Sequence, residues 1–125
     1  MELRKAHFPG SSPIDAYGNG GFRFADMSHR GSLLCLPSGI HGWEATEESA
    51  LTLDLFARVL AEKEGSIEVL LIGTGREMRF IPPDLRAGLR ERGIVCDPMN
   101  TGAAVRTYNI LLAESRAVAA ALIAV

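Results

Sequence analysis

The sequence predicts a single domain of the α/β class, and three observations lead there. At 125 residues the chain is one domain's length and long enough to bury a core. Its second half alternates strand, helix, strand, helix, strand, a pattern that packs helices on a sheet. Its first half breaks into short extended pieces separated by Gly and Pro, as in an antiparallel meander.

The elements follow in order. Residues 1–13 read as an irregular N-terminal segment, with turn chemistry in Pro9-Gly10-Ser11-Ser12-Pro13. Ile14 to Gly21 is a short extended piece entering a glycine turn, where positive φ lets the chain reverse. Phe22-Arg23-Phe24-Ala25 alternates apolar and polar, as a half-buried strand does. Asp26 to Gly31 reads as a turn. Ser32 to Leu36 is an apolar strand stopped by Pro37, and Ile40 to Trp43 is a third short piece.

Leu55, Phe56, Val59 and Leu60 share one face at helical spacing, with Thr46 or Thr52 as the cap and Gly65 as the stop. Ile67 to Ile72 is β-branched and almost wholly apolar, the mark of a strand covered on both faces. Gly73-Thr74-Gly75 closes it. Pro82-Pro83-Asp84 opens a helix with Leu85 and Leu89 as its buried stripe, and Gly93 ends it. Ile94-Val95-Cys96 is a short strand, and Asp97-Pro98-Met99 reads as a loop. Asn100 or Thr101 caps the last helix, whose face holds Ala104, Tyr108, Leu111, Leu112 and Ser115. The terminal run from Val118 returns to the sheet.

Composition excludes several classes of function. A net charge of −2 argues against a general nucleic-acid binder. No apolar run approaches the roughly 20 residues that span a bilayer. The N-terminus lacks the apolar stretch of a secretory signal, so a cytoplasmic protein is expected. Cys35 and Cys96 sit in separate apolar runs, as buried free thiols do. His7, His29 and His41 are scattered, without metal-ligand spacing, and the sequence carries no cofactor motif.

Gly73-Thr74-Gly75 resembles the start of a dinucleotide loop, but Met78 stands where the third glycine belongs and no Gly-Lys-Ser/Thr follows. It reads as a tight turn at a strand's carboxyl end, the region where open α/β sheets bind ligands. Asp97 beside Cys96 opposes thiolate formation, which argues against thiol catalysis. Asp15, Asp97 and Glu114 are the available carboxylates for acid–base work, with no spacing that demands it. The last helix carries Arg106, Thr107, Asn109 and Glu114, polar side chains that core packing does not require. Arg106 could hold a carboxylate or phosphate bidentately. Trp43, Phe22 and Phe24 are core aromatics or, if exposed, anchors for a partner.

Several motifs now stand in order: Ile14-Asp15-x-Tyr17-Gly18-x-Gly20-Gly21-Phe22-Arg23-Phe24; Gly31-Ser32-Leu33-Leu34 and Pro37; Leu70-Leu71-Ile72-Gly73-Thr74-Gly75; Pro82, Leu85 and Gly93-Ile94; and Met99-x-Thr101-x-Ala103-Ala104-x-Arg106-Thr107-Tyr108-Asn109 with Glu114 and Arg116. From Ile14 to Val125 the chain resembles the small Mth-type domain of unknown function, a family that includes a mitochondrial complex I assembly factor. The resemblance implies a three-layer domain, with a central mixed sheet flanked by helices and an additional N-terminal antiparallel β layer. It implies a non-enzymatic, protein-binding role toward respiratory complex subunits or assembly factors. It implies no catalytic residue, and Val105 stands where members often carry a cysteine.

The expected contact residues are Gly73, Thr74, Gly75, Arg106, Thr107, Tyr108 and Asn109. The alternative is a small-molecule-binding protein or enzyme with its pocket between those two segments.

Overall fold

The computed structural model describes residues 7–125. Nine strands run in chain order: β1 (His7–Phe8), β2 (Ala16–Gly18), β3 (Gly21–Phe24), β4 (Met27–Arg30), β5 (Ser32–Leu36), β6 (Gly39–Trp43), β7 (Val69–Gly73), β8 (Val95–Met99) and β9 (Val118–Leu122). The helices are α1 (Ala57–Leu60), preceded by a 3-10 turn over Asp54–Phe56, α2 (Pro83–Arg90) and α3 (Thr101–Ala113). The main sheet has the order β1-β6-β5-β9-β7-β8, and β2-β3-β4 form a second sheet. The main sheet is mixed: β7 pairs in parallel with β8 and β9, while β9-β5-β6-β1 is antiparallel.

Alternation along β7 divides the core. Leu70 and Ile72 face one side, against Leu85 and Leu89 of α2 and the Trp43, Phe56 and Val59 cluster. Leu71 faces the other, with Ala104, Val105 and Tyr108 of α3 and with Phe22 and Phe24 of the small sheet. Helices α1 and α2 thus form one layer, the main sheet the second, and α3 with the small sheet the third. Ala119, Ala120 and Ala121 put only methyl groups on β9, so the covering layers approach it closely; all three are fully buried.

Six expectations need correction. The meander is divided: β2, β3 and β4 form the small sheet, whereas β5 and β6 join the main one. The expected turn over Asp26 to Gly31 is mostly strand β4. Ala25 and Asp26, with φ of 47° and 61°, make the whole reversal as a two-residue hairpin turn. The expected helix around Leu55 is one short turn. Arg79 donates to the carbonyls of Glu47 and Ser49 in a turn ahead of it, while Arg92 Nη1 takes the Leu60 carbonyl at 2.6 Å, which further helix would need. Thr52 Oγ1 accepts from Leu55 N–H at its start, and Thr46 serves a separate turn. Asp97-Pro98-Met99 is the second half of β8, not a loop. Ser115 lies past α3, exposed, with φ of 59°. The irregular segment expected over 1–13 contains β1; positions 1–6 lie outside the described residues.

Strand β8 is one edge of the main sheet. Val95 N–H donates to Glu68 and Met99 accepts from Thr74 N–H, so Cys96 and Pro98 turn their peptide groups outward. Pro98 has no N–H to offer, and the Cys96 carbonyl receives Arg86 Nη1 at 3.4 Å. That blunts the edge against pairing with another chain. Among the described residues, no helix is long and apolar enough to cross a membrane.

Candidate functional site

The turn after β7 and the start of α3 are tied together by Thr101. Its hydroxyl accepts from Gly75 N–H at 3.0 Å and donates to the Ile123 carbonyl at 2.7 Å, while its own N–H donates to the Gly75 carbonyl at 2.8 Å. Gly73 lets the helix lean closely on the strand end, where a Cβ would lie 3.0 Å from Thr101 Cα and force it to give by a few tenths of an ångström. Thr74 Oγ1 accepts from Arg79 N–H at 2.9 Å and donates toward the carbonyls of Glu77 and Met99, which pins the base of the loop over residues 74–82.

The Glu47 carboxylate fills the turn from outside. It accepts from Arg76 N–H at 2.7 Å and from Arg76 Nη1 at 3.3 Å, and a side chain on Gly75 would strike it. The turn amides that a phosphate loop would offer are therefore already bonded: Gly75 to Thr101 and Arg76 to Glu47. The glycine turn is an anchoring device rather than an anion cradle.

The expected contact residues fall into two groups. Gly73, Thr74, Gly75 and Tyr108 are buried, whereas Arg106 is exposed and Thr107 and Asn109 are half-buried. Asn109 has a structural task. Its Oδ1 accepts from Ile14 N–H at 2.9 Å and its Nδ2 donates to the Ile14 carbonyl at 2.8 Å, which clamps the strand entering the small sheet onto α3. Arg106 has no hydrogen bond or ion pair among the described residues, and its Nη1 folds back over Gly102, 3.5 Å from where a Cβ would sit. Glu114, Asp15 and Asp97 are all exposed and form no bonds with one another.

Three titratable side groups are chemically quiet. Burial pushes the Cys35 thiol up to about 12 and raises Cys96 as well, with Arg86 pulling Cys96 the opposite way. Neither cysteine is disulfide-bonded, and they sit on opposite faces of the sheet. Burial, with Cys35 nearby, also raises the Tyr108 phenol, so it stays neutral. Among the described residues no cluster of His, Cys, Asp or Glu could hold a metal ion; His29 Nε2 lies 3.1 Å from the Ser32 carbonyl, and His41 stands on β6. Trp43, Phe22 and Phe24 are all buried, with Trp43 Nε1 donating to Leu55 at 2.8 Å.

Sequence reading missed the surface features beside this site. Phe80 is 84% exposed and Met78 is 45% exposed, both on the loop pinned by Thr74. Tyr17, 42% exposed, brings its hydroxyl against Gly102. A 240 Å³ cavity opens between Tyr17, Gly75, Arg76, Asn100, Gly102 and Arg106. Phe80 was detectable as an aromatic in a polar loop run, Arg76-Glu77-Met78-Arg79-Phe80, between turn and proline.

Comparison with known proteins gives a consistent picture. The family model described as a protein of unknown function (DUF498/DUF598) matches residues 14–123. An uncharacterised Rhodobacter capsulatus protein is 38% identical over 98% of this chain and 93% of its own. The mouse NADH dehydrogenase [ubiquinone] 1 alpha subcomplex assembly factor 3 is 29% identical over 98% of this chain, and the human protein 30% over 88%. This chain spans 66% of the mouse protein's length and 59% of the human one. Among solved structures, a Bartonella henselae chain described as an outer membrane protein is 60% identical, with a TM-score of 0.87, over 94% of this chain and 98% of that one. A Bordetella pertussis Mth938-like domain superposes with a TM-score of 0.78 at 28% identity, over 98% and 92%. The chain belongs to this Mth938-like family of proteins of unknown function (DUF498/DUF598).

Proposed function

We propose that this chain is a non-enzymatic binding protein of the cytoplasm that supports assembly of a respiratory NADH:ubiquinone oxidoreductase. The observation that carries the reading is Phe80, an aromatic 84% exposed on a loop that is not slack. Thr74 ties the loop's Glu77 and Arg79, and Glu47 ties Arg76, so the ring is displayed from a fixed backbone. Pre-positioned exposed aromatics serve as anchors for partners, because burying them against a protein releases water at little ordering cost. Met78, on the same loop, adds exposed adaptable apolar area. The assembly factors related to this chain over nearly its whole length supply the class of partner. Buried thiols with raised pKa support a role without thiol chemistry.

The test is affinity purification of the tagged chain from its own cells in gentle detergent, beside Phe80→Ser and Arg106→Ala. Respiratory complex subunits should enrich with the wild type and fall away with each variant. Equal recovery from all three would overturn the reading. A second reading, a small-molecule-binding protein, is favoured by one observation: the 240 Å³ cavity between the Gly75 turn and Arg106.

A further inference from the structure

Strand β7 is where the sheet changes direction. After β7 the chain crosses to α2 on one face; after β8 it crosses to α3 on the other. Strands β8 and β9 flank β7, both parallel to it, so all three carboxyl ends meet at one edge. In open α/β sheets a crevice forms outside the carboxyl ends at such a reversal, because neighbouring connections splay apart. The 240 Å³ cavity sits there, lined by Gly75 beyond β7, Asn100 beyond β8 and Val125 beyond β9.

Donors and one carboxylate meet around this crevice: Arg106, Arg76, the Tyr17 hydroxyl and Gly102 line it, and the Glu47 carboxylate lies against Gly75 and Arg76 at its margin. Arg106 reaches in from α3 with no partner among the described residues. Arg76 borders the opposite wall. One of its Nη groups meets Glu47 at 3.3 Å, but the side chain is 76% exposed, and a solvated pair of that kind contributes little and yields readily. The Tyr17 hydroxyl enters from β2 and forms no hydrogen bond among the described residues. The N–H of Gly102, a lining residue, likewise lacks an acceptor among them. Gly102 lets the Tyr17 hydroxyl come close: a Cβ there would displace that hydroxyl and would touch Arg106 Nη1 at ordinary contact distance. Donors from three separate elements thus line one cavity.

Resting on the second reading above, we infer that this crevice binds the phosphate or carboxylate group of a small free anion. Arg106 is the principal donor, the Tyr17 hydroxyl and Gly102 N–H supply further hydrogen bonds, and Arg76 closes the far side. A guanidinium offers two parallel N–H groups to either oxyanion. The volume lies just below the roughly 300–1,000 Å³ of ordinary small-molecule pockets, which fits a compact ligand.

The experiment is a two-dimensional amide NMR titration of the full chain with inorganic phosphate, with malonate, and with the neutral malonamide, repeated on Arg106→Gln and Gly102→Ala. The expected result is a saturable shift of Gly102 and its neighbours with phosphate or malonate and none with malonamide. Affinity should fall about tenfold or more in Arg106→Gln, as loss of a charge-assisted bond implies, and similarly in Gly102→Ala. Arg106→Gln changes an exposed side chain, so an unchanged spectrum elsewhere shows that the fold is kept. Anion shifts of equal strength in wild type and Arg106→Gln would overturn the assignment. Malonamide shifting the same amides while the anions do not would overturn the ligand class and leave the pocket standing. No shift with any of the three would remove both. Arg106-dependent co-sedimentation with phosphatidylglycerol vesicles, without response to the free anions, would overturn the free-ligand source.

Discussion

Asn109 shows what a single side chain does here. Its amide makes two hydrogen bonds to the backbone of Ile14, 95 residues away, and so fastens the approach to the small sheet onto α3. Asn109→Ala leaves the buried Ile14 without those partners and should cost about 1–3 kcal/mol in urea unfolding. A loss below about 0.5 kcal/mol would show that water replaces the amide at no cost. Sequence alone marks Asn109 as a polar residue that packing does not require, but its partner is a distant backbone, which no local pattern reveals. Thr101 was legible only as a possible cap for the same reason. Asn100 is the cap, and Thr101 instead seals the turn to the strand ends. Cys35 gives a pH prediction. Folded, its thiol keeps its proton to about 12, whereas unfolded it titrates near 9.0. Between those values the native state holds a proton that the unfolded state has released, so stability falls as pH rises. The limiting slope for this group is about 1.4 kcal/mol per pH unit. Thermal midpoints from pH 8 upward should drop, with a shallower decline in Cys35→Ala; identical slopes would contradict this.

At the scale of elements, apolar runs were the readable part. Leu33 to Leu36, Leu70 to Ile72 and the stretch from Val118 are wholly buried strands, and continuous hydrophobicity announces them. Elements decided by long-range bonds were not readable. The segment at Leu55 has a helical face, yet Arg79 and Arg92 capture its flanking carbonyls and only Ala57–Leu60 completes an α-turn. Strand β4 was hidden because Met27-Ser28-His29-Arg30 has little apolar signal and its turn is Ala25-Asp26 rather than a glycine pair. Helix α3 starts as sequence allows: Asn100 Oδ1 accepts from Ala103 N–H at 2.8 Å. Asn100→Ala should therefore destabilise by about 1 kcal/mol, with Asn100→Asp close to wild type. Chemical denaturation of the three proteins checks this, and equal midpoints would show that Thr101 holds the helix start alone.

At the scale of the molecule, two cores share one sheet, and the edge where β7, β8 and β9 end carries the distinctive surface. The sequence pointed to this edge through Gly73-Thr74-Gly75 and Arg106. It did not reveal that the glycine turn is sealed from below, nor that Phe80 and Tyr17 supply the exposed aromatics, because exposure depends on how the loops fold back. Phe80 and Arg106 lie on the surface, so changing them should leave stability within about 0.5 kcal/mol and report on binding alone. The most direct measurement is the level of fully assembled NADH:ubiquinone oxidoreductase, read by native gel from membranes of cells lacking this chain. Restoring the wild type should recover the complex, and restoring the Phe80→Ser/Arg106→Ala double variant, at equal abundance, should leave it depleted. Full recovery with the double variant, or no depletion when the chain is absent, would contradict the account.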